Sequence, residues 1–281
     1  MSQGEEEQGL MTERGTGTSE ANAVYAFAVC HTEGDPDVER LTGVTRDEPV
    51  RCLRIGSLTA IVQTVRGSDF TDEVWQKRLT DEAELERYAR AHHSVVSAVA
   101  SQFPTVPLPL ATLYNGDERA ALSLAGESAR FRAALTRIAH HAEWGVKVYV
   151  PVARSAGDDP SDERPASAAT RTRPATGAGR AYLERKRNLH SRREQRQADS
   201  LRVADAVDAD VSRLATESRR LRPHGGGAGD DRRVQVLNAT YLVAGHRAAE
   251  LDLLVAELRR RTGAHIEVSG PWVPYSFVGE V

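Results

Sequence analysis

Apolar residues recur in steps of three and four between Asp81 and Phe103. They fall at Leu85, Tyr88, Ala89, His92, Val95, Val96, Val99 and Phe103, one stripe of an amphipathic helix. Asp81, with Glu84 three residues on, gives a capping-box start, and Pro104 gives the stop. The run Ala23–Cys30 is apolar at successive positions and predicts an interior strand. Val50–Arg54 and Leu58–Val65, separated by Ile55-Gly56-Ser57, predict a hairpin. Thr71–Leu79 reads as a short helix. Thr105–Tyr114 is extended, and Pro107 and Pro109 confine it to a sheet edge or a strand entry. A helical region from Asp117 to Ala142, interrupted near Gly126, would turn Phe131, Leu135, Ile138 and Ala142 inward. Gly145 stops it, and Val146–Val152 follows as a strand.

The second half has a different rhythm. Arg154–Ala178, with Pro160, Pro165 and Pro174 among small polar residues, is a loop. Arg180–Arg222 predicts one long helix of about 65 Å. Its rear carries a seam at Leu201, Ala204, Val207, Val211, Leu214 and Leu221, whereas Ala198 is the only apolar residue between His190 and Ser200. A stretch that is polar all round bridges solvent or faces a partner. Pro223-His224-Gly225-Gly226-Gly227 ends it, Val234–Ala244 is a strand, Arg247–Thr262 a helix and His265–Val268 a strand. This order approximates a ferredoxin-like α+β sandwich with one strand missing or altered.

The fold class predicted is therefore α+β in two domains: residues 23–145, an N-terminal α+β domain, and 146–281, a modified ferredoxin-like domain containing the loop 154–178 and the long helix 180–222. Residues 1–22 hold five Glu against one Arg among Gly, Thr and Ser, and predict a disordered acidic tail. Hydrophobic residues make up 40% of the chain, enough for a core, and the net charge of -3 calls for neither a nucleic-acid nor a membrane partner. No apolar run approaches the roughly 18 residues of a membrane span. The start Met1-Ser2-Gln3-Gly4-Glu5-Glu6-Glu7 is acidic, opposite to a secretory leader, and predicts a cytoplasmic protein.

Candidate chemistry is sparse. Cys30 and Cys52 read as reduced core thiols; a disulfide would require their two strands to pair. The doublets His92-His93 and His140-His141 lack the i, i+4 spacing of a zinc helix. His92 lies on the apolar stripe and reads as a core histidine, the other three as surface residues. Asp35, Asp37 and Glu39, and Asp158, Asp159, Asp162 and Glu163, read as solvated loop charge. Gly225–Gly229 lacks the Lys-Ser/Thr of a phosphate loop, so no cofactor, metal or catalytic residue is predicted. The front of the long helix is basic, with eight Lys/Arg against three Asp/Glu between Arg180 and Arg202. A nucleic-acid-binding face there is the alternative functional reading.

The C-terminal run Val268-Ser269-Gly270-Pro271-Trp272-Val273-Pro274-Tyr275-Ser276-Phe277 places three of the chain's fifteen aromatics (Phe 5, Trp 3, Tyr 7) within six residues. It either closes the core or carries a contact. Gly270–Phe277 resembles the C-terminal signature of the gas vesicle protein L/F family. Three further stretches resemble that family in the same order: Ala142–Tyr149 its central strand, Gly179–Lys186 the start of its long helix, and Leu237–Val243 its penultimate strand. The chain departs from the pattern at Val273, where a further proline is expected. The resemblance implies an N-terminal α+β domain, a modified ferredoxin-like C-terminal domain and no enzymatic activity. It implies a role in gas vesicle assembly through contact with the hydrophobic shell subunit or other vesicle accessory proteins, either transiently or as a lasting vesicle component. The residues expected to make contacts are Trp272, Tyr275 and Phe277, with Arg185, Lys186, Arg192 and Arg193 on the basic helix.

Overall fold

The computed structural model describes residues 22–31, 34, 36–151, 178–222 and 233–279. Packing divides the chain after Leu135 into two units.

The first unit is built on an antiparallel sheet. β1 (Asn22–Cys30) is buried at every position from Ala23 onward. The strand that is apolar on both faces is thus the interior one: β3 (Leu58–Arg66) flanks it on one side, and the short β4 (Thr105–Pro107) and β5 (Leu113–Tyr114) on the other. β2 (Val50–Ile55) lies outside β3. The β2–β3 turn pairs Ile55 with Leu58, and Gly56 takes the positive φ of 60° that such a tight connection favours. Cys30 lies across from Thr59 of β3 and Cys52 across from Ile61, so β3 stands between the strands that carry the two cysteines.

Two helices follow, α1 (Asp72–Thr80) and α2 (Glu82–Ala100). The Asp81 carboxylate accepts from the N–H groups of Ala83 and Glu84 at 3.1 and 3.2 Å. Only this half of the capping box forms, because Glu84 turns to Arg87 and the Asp81 N–H bonds Arg78 O. The stripe buries Tyr88, His92, Val95, Val96 and Val99 as expected, whereas Ala89 is exposed.

The helical region predicted from Asp117 breaks at Gly126 as expected, into α3 (Asp117–Gly126) and α4 (Ser128–Ile138), but it stops before Ala142. His140 adopts φ 60°, and His141 already opens β6 (His141–Pro151). The strand therefore begins five residues before the expected Val146. His141 is half-buried rather than a surface residue, with its ring against Ala139 O (2.7 Å) and Thr216 Oγ1 (2.9 Å). His140 is exposed, and His93 is half-buried beside Ser97.

The second unit holds β6, α5 (Ala178–Leu214), β7 (Glu217–Arg220), β8 (Arg233–Ala244), α6 (Ala248–Thr262) and β9 (His265–Trp272). Its sheet runs β7-β8-β6-β9 with every neighbour antiparallel. Val146, Val148, Leu237, Ala239, Tyr241, Val243 and Ile266 form one core with Ala204, Val207, Val211 and Leu214 of α5 and Leu251, Val255 and Leu258 of α6. Both helices thus cover one face of the sheet.

The predicted long helix 180–222 is corrected here. It ends at Leu214, and the seam loses both ends, since Leu201 is 54% exposed and Leu221 lies beyond β7. Helix propensity alone would carry the run Glu217-Ser218-Arg219-Arg220 onward. Pairing with β8 overrides it, with Thr216 N–H bonded to Leu242 O at 2.8 Å and Leu221 N–H to Asn238 O at 2.7 Å. The final strand is longer than expected, reaching Trp272. The predicted acidic tail, the loop after Arg154, Asp35, the acidic group Asp158–Glu163 and the glycine run 225–229 lie outside the described residues.

Candidate interaction surfaces

The C-terminal segment is held by a residue from a distant strand. Glu143, on β6, is 7% exposed. Its two oxygens accept from Ser276 N–H (2.9 Å) and Ser276 Oγ–H (2.6 Å), across 133 positions of sequence. Two short local bonds shape the turn they anchor: Tyr275 N–H to Val273 O (2.8 Å) and Phe277 N–H to Pro274 O (3.2 Å). Upstream, Gly270 crosses closely over β6 at φ 135°. A Cβ at that position would lie 2.9 Å from Glu143 O and 3.0 Å from the Trp144 ring, so only glycine fits.

Held in this way, the segment divides its side chains. Val273, Phe277 and Val278 are buried, Phe277 to 2% exposure. Trp272 and Tyr275 stay 49% and 39% exposed. Burial pushes the Tyr275 hydroxyl up to about 12. Of the three aromatics singled out in the sequence, Phe277 therefore closes the core, while Trp272 and Tyr275 present part of their rings outward. Sequence reasoning missed Glu143, Gly270 and Ser276 as the residues that fix this arrangement. An acid inside the otherwise apolar run Ala142–Val146 was the available signal for Glu143.

The basic positions lie on a different element, the front of α5. Lys186, Arg192 and Arg193 are exposed. Arg185 belongs to the same helix, and its side chain lies outside the described residues. Among the described residues no group of three or more His, Cys, Asp or Glu side chains could hold a metal ion.

These features describe a mixed α/β protein of two antiparallel sheets. The sequence profile of the gas vesicle synthesis protein GvpL/GvpF family matches residues 23–279, and the chain belongs to that family. It is similar to gas vesicle protein L from Streptomyces sp. (strain CB03234), 36% identical over 236 residues that cover 83% of this chain and 84% of the relative. Its fold resembles the crystal structures of GvpF from Anabaena sp. PCC7120 (TM-score 0.61, 15% identity, 92% of this chain and 96% of the other) and from Microcystis aeruginosa (TM-score 0.58, 15% identity, 91% and 98%). Among the described residues no helix is long and apolar enough to cross a membrane.

Proposed function

We propose that the protein is a non-catalytic accessory or minor structural component of gas vesicle assembly. It binds the hydrophobic shell subunit, or other vesicle proteins, through the face that carries Trp272 and Tyr275. One observation carries this reading: two large aromatics remain outward on a segment whose backbone is otherwise locked by Glu143, Gly270 and buried neighbours. Aromatic side chains presented on a rigid frame lose little entropy on binding and dominate interface energetics. A shell-forming subunit exposes apolar and edge-strand surface before it assembles, and that surface needs a cover. We also read the second unit as a modified ferredoxin-like domain. Its order of strand, helix, two strands, helix, strand, with β6 and β8 central, supports that assignment.

The test is co-expression with the gas vesicle shell protein followed by pull-down and co-sedimentation. The wild-type chain is expected to associate. Trp272→Ala with Tyr275→Ala should abolish association while leaving the unfolding temperature within a few degrees. Wild-type protein that meets no vesicle component, under conditions where another family member does, would refute the reading.

A further inference from the structure

The charges on the front of α5 are sorted by face. At about 100° per residue, positions 185, 186, 192, 193 and 196 fall within roughly 120° of arc, and all five are Lys or Arg. No Asp or Glu position enters that arc. Glu194 lies on the other side and pairs with His190 at 3.3 Å, and Asp199 pairs with Arg202. Lys186, Arg192 and Arg193 form no ion pair among the described residues, and each is exposed. The cationic arc also continues the line of the helix seam. Val203, Ala204, Val207, Val211 and Leu214 occupy the same angular range and pack on the sheet. Half-buried Ser200 and Arg196 mark the change from apolar to cationic. One face of one helix is thus a core contact at its C-terminal end and a row of cations about 16 Å long at its front.

We infer that this row is a docking surface for an acidic polypeptide segment, one presenting carboxylates at about one-turn spacing along three turns. Charge complementarity identifies the occupant. Asp199 falls just outside the edge of the arc and is engaged by Arg202, which leaves the exposed Lys186, Arg192 and Arg193 to meet an anionic partner. A short acidic peptide senses only this local field, because charges beyond roughly 10 Å are screened at ordinary salt. An extended nucleic acid would run on past the row and over a chain whose net charge is -3.

The test uses the full chain and a labelled poly-glutamate peptide of about 12 residues, followed by fluorescence anisotropy. Binding is expected at about 50 mM salt and should weaken about tenfold by about 300 mM. Lys186→Glu, Arg192→Glu and Arg193→Glu together should weaken it about tenfold or more. A control with equal charge change on exposed cations elsewhere, Lys77→Glu, Arg119→Glu and Arg219→Glu, should change it less than about twofold. Circular dichroism should show both triple variants folded. Equal losses in the two variants, or no binding at low salt, would overturn the inference. Tighter binding of a duplex DNA of similar charge would also overturn it, in favour of a phosphate-tracking face. The peptide assay contains no vesicle protein, so its result is independent of the association test above.

Discussion

Three buried polar side chains organise the molecule residue by residue. Gln63, wholly buried on β3, accepts from Val44 N–H (2.9 Å) and donates to Thr45 O (2.9 Å) and Glu48 O (2.6 Å), pinning the loop before β2. Gly43 is the complement of that clamp, since a Cβ there would lie 2.2 Å from Gln63 Oε1. His92 is 4% exposed between the rings of Tyr25 and Phe27. The Ala111 N–H can only donate, and it donates to the Tyr25 hydroxyl at 3.1 Å. The same hydroxyl shares a hydrogen bond with His92 Nδ1 at 3.0 Å. Burial pushes His92 down to about 4, partly offset by the Leu108 backbone and reinforced by neighbouring His93. A group buried neutral, with a folded pKa below its unfolded value near 6.5, makes the native state fully stable above that value. Stability then falls with pH between about 6.5 and 4, by about 3 kcal/mol from this residue. Denaturant titrations across that range should show the slope in wild type and its loss in His92→Phe; equal slopes would refute it. Glu143 is the third. Glu143→Ala removes both acceptors of Ser276 and should cost about 2–4 kcal/mol, with a matching drop in unfolding temperature. Ser276→Ala, which removes one of the two bonds, should cost less.

Elements read from local signals were legible, and those fixed by distant partners were not. The burial of β1, the Gly56 turn, the Asp81 cap and the α2 stripe all follow from residues within a few positions of one another. β7 does not, because Glu217-Ser218-Arg219-Arg220 carries no alternation and becomes a strand only by pairing with β8. What secures it is a network that crosses three elements. Arg220 bonds Asp205 and Asp208 of α5 at 2.8 Å each, and Tyr241 of β8 donates to Asp208 at 2.6 Å. Asp208→Ala should therefore cost about 1–3 kcal/mol, because the hydroxyl of a wholly buried tyrosine loses its acceptor. Along the same helix, Val211→Ala should cost about 1.5–3 kcal/mol, while Leu201→Ala, which sequence periodicity placed in the same seam, should stay within about 0.5 kcal/mol. Urea titration of the three variants separates the observed seam from the expected one. The candidate surfaces divide in the same way. The aromatic run and the basic helix front were visible in the chain, but the clamp that decides which aromatics face outward joins residues 133 positions apart.

For the whole molecule, binding and stability are assigned to neighbouring residues of one short segment, and this permits a separation that few truncations allow. Removing Gly270–Val281 would delete Phe277, the Glu143 clamp and the two exposed rings together, so lost binding and lost stability would be confounded. Single substitutions part them. Phe277→Ala opens a cavity at a site 2% exposed and should cost about 3–5 kcal/mol, lowering the unfolding temperature steeply. Trp272→Ala acts on a half-exposed ring and should cost far less in stability while weakening association with vesicle protein. If the segment served only as a lid on the core, both substitutions would reduce association in proportion to the stability each removes. If it is a contact, Trp272→Ala falls off that line, with association lost and the melt nearly unchanged. Plotting co-sedimented fraction against unfolding temperature for wild type and the variants at Glu143, Trp272, Tyr275 and Phe277 decides between the two, and we expect Trp272 and Tyr275 to lie below the trend set by Glu143 and Phe277.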